Sequence, residues 1–167
     1  MSQSRPNLAA SIATGVSLLS SALWLGGILV LGAIVAPIVL TEVPAPTSAD
    51  AMTHVFLRFD RVAPFSLVVI GISEAIAGRL APPRRRVEQV RLVAVAIAGA
   101  LALVQALWLS PTISDLHQQG AIRGLGPLGL ALEVAHHRSE LCGKSEVALL
   151  AAFVVLSAFR RTRNDAT

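Results

Sequence analysis

PNLAASIATGVSLLSSALWLGGILVLGAIVAPIVLT, residues 6–41, runs for 36 consecutive positions without an Asp, Glu, Lys or Arg. A helix rises about 1.5 Å per residue, so the run exceeds the roughly 20 apolar residues that cross the hydrocarbon core of a bilayer. It is also far longer than the roughly 7–15 residue core of a signal peptide. The reading is a retained transmembrane helix. Within it Trp24-Leu25-Gly26-Gly27 and Ala36-Pro37 make the run more than an anchor, because small residues in a lipid-buried helix mark places where another helix packs.

Composition agrees. Hydrophobic residues make up 54% of the chain and charged residues 14%, against about 25% charged in a soluble domain. The 167 residues read as one domain, with no linker, repeat or low-complexity tract to divide them. The net charge of +4 is carried by arginines at helix ends, with no basic stripe interleaved with aromatics, so nucleic acid is not an expected partner. A single cysteine, Cys142, excludes an intrachain disulfide and paired-thiol redox chemistry.

Charges and prolines bound four crossings, at about 8–36, 62–80, 92–110 and 138–160. The Pro37 ring is expected to stop or kink the first helix. Between the first two, Ser48 to Arg61 is too polar to cross. Thr47 and Asp50 form a capping-box-like start, and Met52, Val55, Phe56 and Phe59 recur at helical spacing. This predicts a short amphipathic helix at the membrane surface. Ser110-Pro111 marks the end of the third crossing, or a kink followed by a surface helix. The last charge-free run, Val147 to Phe159, spans only 13 residues. The fourth helix must therefore start upstream, near Leu128, and protrude with Glu133, His136, His137, Arg138, Glu140, Lys144 and Glu146 on its early turns. Glu133 with His137, and Glu140 with Lys144, have the acid-first i,i+4 spacing of a helical ion pair.

The fold class expected is all-α, an integral-membrane antiparallel four-helix bundle with a short surface helix between helices 1 and 2. Lys and Arg set its orientation. Arg5, Arg79, Arg84, Arg85, Arg86, Arg91, Arg160, Arg161 and Arg163 fall on one side, and Arg58, Arg61, Arg123, Arg138 and Lys144 on the other. By the positive-inside rule both termini face the cytoplasm, in a bacterial inner membrane. Small residues recur at four-residue spacing in Ala98, Ala102 and Ala106, and Gly71, Ala75 and Gly78, with Gly32 and Ala36, make similar faces. Such faces suit contact with other helices, other membrane subunits or a second copy of the chain.

Two groups of side chains are candidates for chemistry. All four histidines, His54, His117, His136 and His137, fall on the outer side with Cys142. His136, Glu140 and Cys142 are residue types that bind zinc or copper, although HExxH and paired cysteines are both lacking. Deeper in the membrane, Glu74 is the one acid well inside a crossing, which makes it a functional hypothesis by default. Gln105 or a serine can supply it with a hydrogen bond. Buried in apolar surroundings, Glu74 is expected to titrate high enough to be neutral. No GxSxG elbow is present, so an enzyme is not expected. No cofactor is expected either: several small haem bundles carry a histidine two turns before a Trp-x-Gly on their first helix, and here that position is Ser17.

Ser20-Ser21-Ala22-Leu23-Trp24-Leu25-Gly26, Val35-Ala36-Pro37, Trp108-Leu109-Ser110-Pro111 and His136-x-x-Ser139-x-Leu141-Cys142 together resemble the transmembrane protein 205-like family. Its bacterial members are an integral-membrane domain of unknown function. The likeness extends from about Gly15 to Phe159. It implies a four-helix membrane protein, with eukaryotic members associated with resistance to platinum drugs. Trp24, Gly26, Pro37, Trp108, Pro111, His136, Ser139 and Cys142 are matched positions, and no established role comes with them. The leading expectation is a non-catalytic accessory or scaffold subunit acting through helix contacts in the lipid bilayer. The alternative is a small transporter or metal-handling protein, in metal or drug resistance, built on His136, His137, Glu140 and Cys142 with Glu74 deeper down.

Overall fold

Among the described residues, every regular element is a helix. The computed structural model describes residues 8–45, 47–80 and 85–164. Arg5, Arg84 and Pro46 lie outside the described residues, and for Arg85, Arg160, Arg161 and Arg163 only the backbone is described.

The first helix, α1, begins as Leu8–Val30, widens into a π turn at Leu31–Val35 and continues as Ala36–Glu42. It neither stops at Ala36 nor ends at Pro37. The reason is local. Proline lacks an N–H and its ring crowds the carbonyl four residues back, and one wide turn just upstream relieves that crowding. There the Ala36 N–H donates to the Leu31 carbonyl. The same device recurs in α4, which runs Arg85–Val104, a π turn Gln105–Leu109, then Ser110–Gln118. The Ser110 N–H donates to the Gln105 carbonyl, one residue before Pro111. The expected third crossing therefore continues as one helix past its proline.

Between these lie α2, Thr47–Phe59, and α3, Val62–Leu80. The last helix, α5, is Gly126–Asn164, 39 residues, starting twelve residues before the expected crossing at 138 and close to the expected helix start at Leu128. The turn into it is specified by glycine. Gly120 has φ +76°, its N–H donates to the His117 carbonyl, and the Ala121 N–H donates to the Leu116 carbonyl. This is a Schellman stop, and Ala121 and Leu116 share a small apolar cluster with Ile113, Leu132 and Ala135.

Three helices are long and apolar enough to cross a membrane: Leu8–Glu42, Arg86–Gln118 and Gly126–Ala158. The expected second crossing forms as α3 but does not stand among these three. It is the shortest of the four long helices, 19 residues, and carries Glu74 and Arg79.

Side-chain contacts give the pairing. Ser17 of α1 bonds Glu74 of α3, while further along α1 Trp24 packs with Ile70. Arg91 at the start of α4 bonds Ser157 late in α5, while Gln105 bonds Ser139 early in α5. The shared core is Trp24, Ala63, Ile70, Val95, Ala98, Ala102, Leu150 and Phe153. Ala98 and Ala102 thus use the small-residue face of α4 inside the molecule, whereas Gly71, Ala75 and Gly78 of α3 are exposed.

The exterior is apolar, and beside its apolar core the interior carries polar groups. Phe65, Val68, Ile72, Leu107 and Trp108 are exposed, while Ser17, Ser21, Ser66, Ser73, Arg91, Glu146 and Ser157 are buried. Inside the helices the hydroxyls are satisfied locally. Ser21 donates to the Ser17 carbonyl at 2.9 Å and Thr14 to the Ala10 carbonyl at 2.9 Å, the usual i−4 bond of a hydroxyl with no water to turn to.

Candidate functional site

Two polar layers cross the bundle, one on each side of the apolar core. The layer nearer the chain termini is built on Arg91, 1% exposed. Its Nη1 donates to Glu74 Oε1 at 2.8 Å and to Ser157 Oγ at 3.1 Å, and its Nη2 donates to Glu74 Oε2 and to Glu88 Oε1. The planar guanidinium matches the carboxylate bidentately, which an ammonium could not do. Ser17 Oγ donates to Glu74 Oε1 at 2.6 Å, free to do so because its carbonyl, not its hydroxyl, serves Ser21. Ser157 donates in turn to the Phe153 carbonyl at 2.7 Å, and the Arg91 guanidinium lies 4.9 Å from the centre of the Phe153 ring. One hydrogen-bonded chain, Ser17–Glu74–Arg91–Ser157, therefore touches α1, α3, α4 and α5.

This corrects the expectation for Glu74. Its surroundings are not the apolar ones expected: the Arg91 guanidinium and the Ser17 hydroxyl both bond its carboxyl group. The serine alternative holds and the Gln105 alternative does not, since Gln105 Nε2 donates to Ser139 Oγ instead. Arg91, placed in the loop tally by sequence, sits inside the helix. Nothing local marks it, because it lies one residue before the expected crossing begins at Leu92.

The second layer lies toward the α4–α5 turn. Trp24 is 0% exposed and Glu146 4%, and the Trp24 indole N–H is directed at the Glu146 carboxylate without closing a regular hydrogen bond. Asp60, in the turn between α2 and α3, acts on Glu146 through space. The Ser110 hydroxyl, just past the π turn of α4, is directed at Asp60, whose Oδ2 is buried without a partner. Burial pushes the Asp60 carboxyl above its usual value, and the Ser110 hydroxyl offsets part of that rise. Sequence inspection passes over Glu146 because it stands among several charges at the start of the fourth helix. Only packing separates it from its exposed neighbours.

At the far rim the structure does not assemble the expected metal ligands. His136 pairs edge-to-face with His117, ring centres 5.8 Å apart. Glu140 is exposed and bonds Lys144 at 2.7 Å, as its spacing predicts, while Glu133 and His137 form no ion pair. Cys142 is half-buried and unbonded to sulfur. Among the described residues no group of three His, Cys, Asp or Glu side chains is placed to hold a metal ion.

Of the motif residues, Trp24 is in the core and Trp108 faces outward, 60% exposed. The close approach beside Trp24 belongs to Gly27 rather than Gly26. A Cβ on Gly27 would collide with the Phe59 ring, while one on Gly26 meets nothing. Pro37 and Pro111 each follow a π turn, and Ser139 accepts the interhelical bond from Gln105.

The family model described as "Domain of unknown function (DUF4149)" matches residues 19–122, more than half of the chain. The chain belongs to the DUF4149 family. The matched part of this DUF4149 protein holds Trp24, Asp60, Glu74, Arg91 and Ser110 and begins just after Ser17. It stops short of Glu146 and Ser157 on α5. No curated protein and no solved structure matches the chain.

Proposed function

We propose that this protein is a non-catalytic integral-membrane subunit that acts through helix contacts, as an accessory or scaffold component of a larger assembly. In this reading α1, α3, α4 and α5 form an antiparallel four-helix bundle across a bacterial inner membrane. The α2 helix lies at the surface, and both termini are cytoplasmic. The observation that carries it is the chain Ser17–Glu74–Arg91–Ser157, in which one buried ion pair and two hydroxyls join four helices. An intramembrane ion pair of this kind fixes how helices meet.

The contact surface in this reading is the groove between α3 and α4. It has a volume of about 350 Å³ and is lined by Leu67, Gly71, Ala75, Leu92 and Ala96, with Glu74 at its floor. Small residues there leave room for a companion transmembrane helix to approach closely. Site-directed crosslinking in native membranes tests this. With Cys142→Ser removing the native thiol, Ala75→Cys is expected to give a discrete crosslinked species, and Leu19→Cys on the exposed face of α1 is expected to give none. If Ala75→Cys stays monomeric and the gently solubilised protein has no companion, the reading fails. Metal co-purifying with the protein and lost in His136→Ala would favour the metal-handling alternative instead.

A further inference from the structure

The second polar layer holds more acid than the fold neutralises. Glu146 is 4% exposed on a helix apolar enough to cross the membrane, and no hydrogen bond of regular geometry or ion pair closes on its carboxylate. The titratable groups facing it are Asp60, from the turn between α2 and α3, and Cys142, one turn earlier on its own helix. The α1 helix contributes the uncharged Trp24, and α4 contributes Ser110 through Asp60. No cation is among them. Independently, the Trp24 indole is wholly buried, aimed at Glu146 and without a regular partner, and Asp60 Oδ2 is buried without one as well.

Two carboxylates cannot both stay charged in such a place, because like charges close together and loss of solvent each penalise the ionised form. In a bilayer that penalty is at its largest. The missing ingredient is a single positive charge small enough to sit among oxygens, and alkali ions and protons both prefer such hard donors.

We propose that Asp60 and Glu146, beneath the Trp24 indole, form a cation-binding site in the half of the bundle away from the termini, taking up one proton or one alkali-metal ion. The site lies within one chain, so it stands whether or not a companion subunit occupies the groove between α3 and α4. Residue roles divide simply: Glu146 and Asp60 supply the oxygens, Ser110 orients Asp60, and Trp24 reports and steadies the Glu146 carboxylate.

The chain has two tryptophans, so Trp108→Phe, at an exposed position, leaves Trp24 as the sole emitter. The full-length Trp108→Phe protein in lipid nanodiscs is titrated with acid in choline chloride, and then again with choline replaced by sodium. Trp24 emission is expected to titrate in choline chloride, and the change is expected to disappear in Glu146→Gln and to move its midpoint in Asp60→Asn. A sodium-dependent fall of the midpoint, approaching about one pH unit per tenfold rise in sodium, identifies the alkali ion as a competitor for the proton's place. A midpoint indifferent to sodium identifies the proton as the sole occupant. The carboxylic C=O stretch of the unsubstituted carboxyls, read by infrared difference spectroscopy on the same protein, should titrate with the emission and requires no change at Glu146. Emission flat to both acid and sodium, or a titration undiminished in Glu146→Gln and Asp60→Asn, overturns the site.

Discussion

Arg91 is the residue whose loss the bundle should feel most. Removing one partner of a buried pair strands the other, and the expected cost of Arg91→Met is roughly 3–5 kcal/mol, because Glu74 loses the guanidinium that pairs it. Converting both, as Arg91→Met with Glu74→Gln, should recover much of that loss, since the amide at position 74 carries no charge and keeps the Ser17 hydroxyl as a hydrogen-bond partner. Thermal unfolding in detergent followed by helical circular dichroism measures both. Equal destabilisation by the single and double variants would show that the pair is not what Arg91 contributes. Asp60 behaves oppositely. Its carboxyl is raised above the ordinary 3.8, so the folded state holds the proton more tightly than the unfolded chain. That contribution to stability is fully present below pH 3.8 and is lost as pH rises through the higher folded value. Asp60→Asn, which cannot ionise, should therefore raise the melting temperature by a few degrees at neutral pH, with the gain shrinking to nothing in acid. A gain independent of pH would contradict this. Of these two residues, Asp60 is recognisable in sequence only as one acid among several, and Arg91 only as a flanking cation; burial gives each its significance.

At the scale of elements, the chain's glycines and prolines separate what is local from what is not. The Schellman stop at Gly120 follows from glycine's access to positive φ and needs no tertiary contact. Gly129 and Gly27 are different. A Cβ at Gly129 would run into the Ile122 carbonyl oxygen, where backbone must give way, while a Cβ at Gly143 meets nothing. Gly129→Ala is expected to destabilise by about 1–3 kcal/mol as an overpacked site, and Gly143→Ala to stay within about 0.5 kcal/mol of the parent. Gly27→Ala should fall with Gly129→Ala, because the Phe59 ring blocks it. Unfolding midpoints in detergent rank the three, and a Gly143→Ala as damaging as Gly129→Ala would refute the steric account. Pro37 and Pro111 are plain in the sequence as interruptions. Whether a helix stops or bends at them depends on the turn before the proline, and a single π turn lets each helix continue.

For the whole molecule, solvent preference explains the arrangement. Apolar side chains such as Phe65, Ile72 and Leu107 point outward and serines, Arg91 and Glu146 inward, the reverse of a chain folded in water. Exposed apolar surface at this density suits lipid, and buried charge is tolerated where neighbouring helices complete its hydrogen bonds. The helical class, the membrane setting, the long first helix, the amphipathic α2 and the place of Glu74 inside a helix were legible in the residues alone, because each rests on runs of like polarity and on periodicity within one segment. Only the tertiary structure decided that Arg91 answers Glu74, that Gln105 serves Ser139, that His136 meets His117 rather than a metal cluster, and that Glu146 lies against Trp24 and Asp60. Those pairings join residues 17 to 122 positions apart from one another along the chain. Each depends on the rotation of a helix about its axis, where one residue turns a side chain by about 100°, and that rotation is set by packing against the other helices.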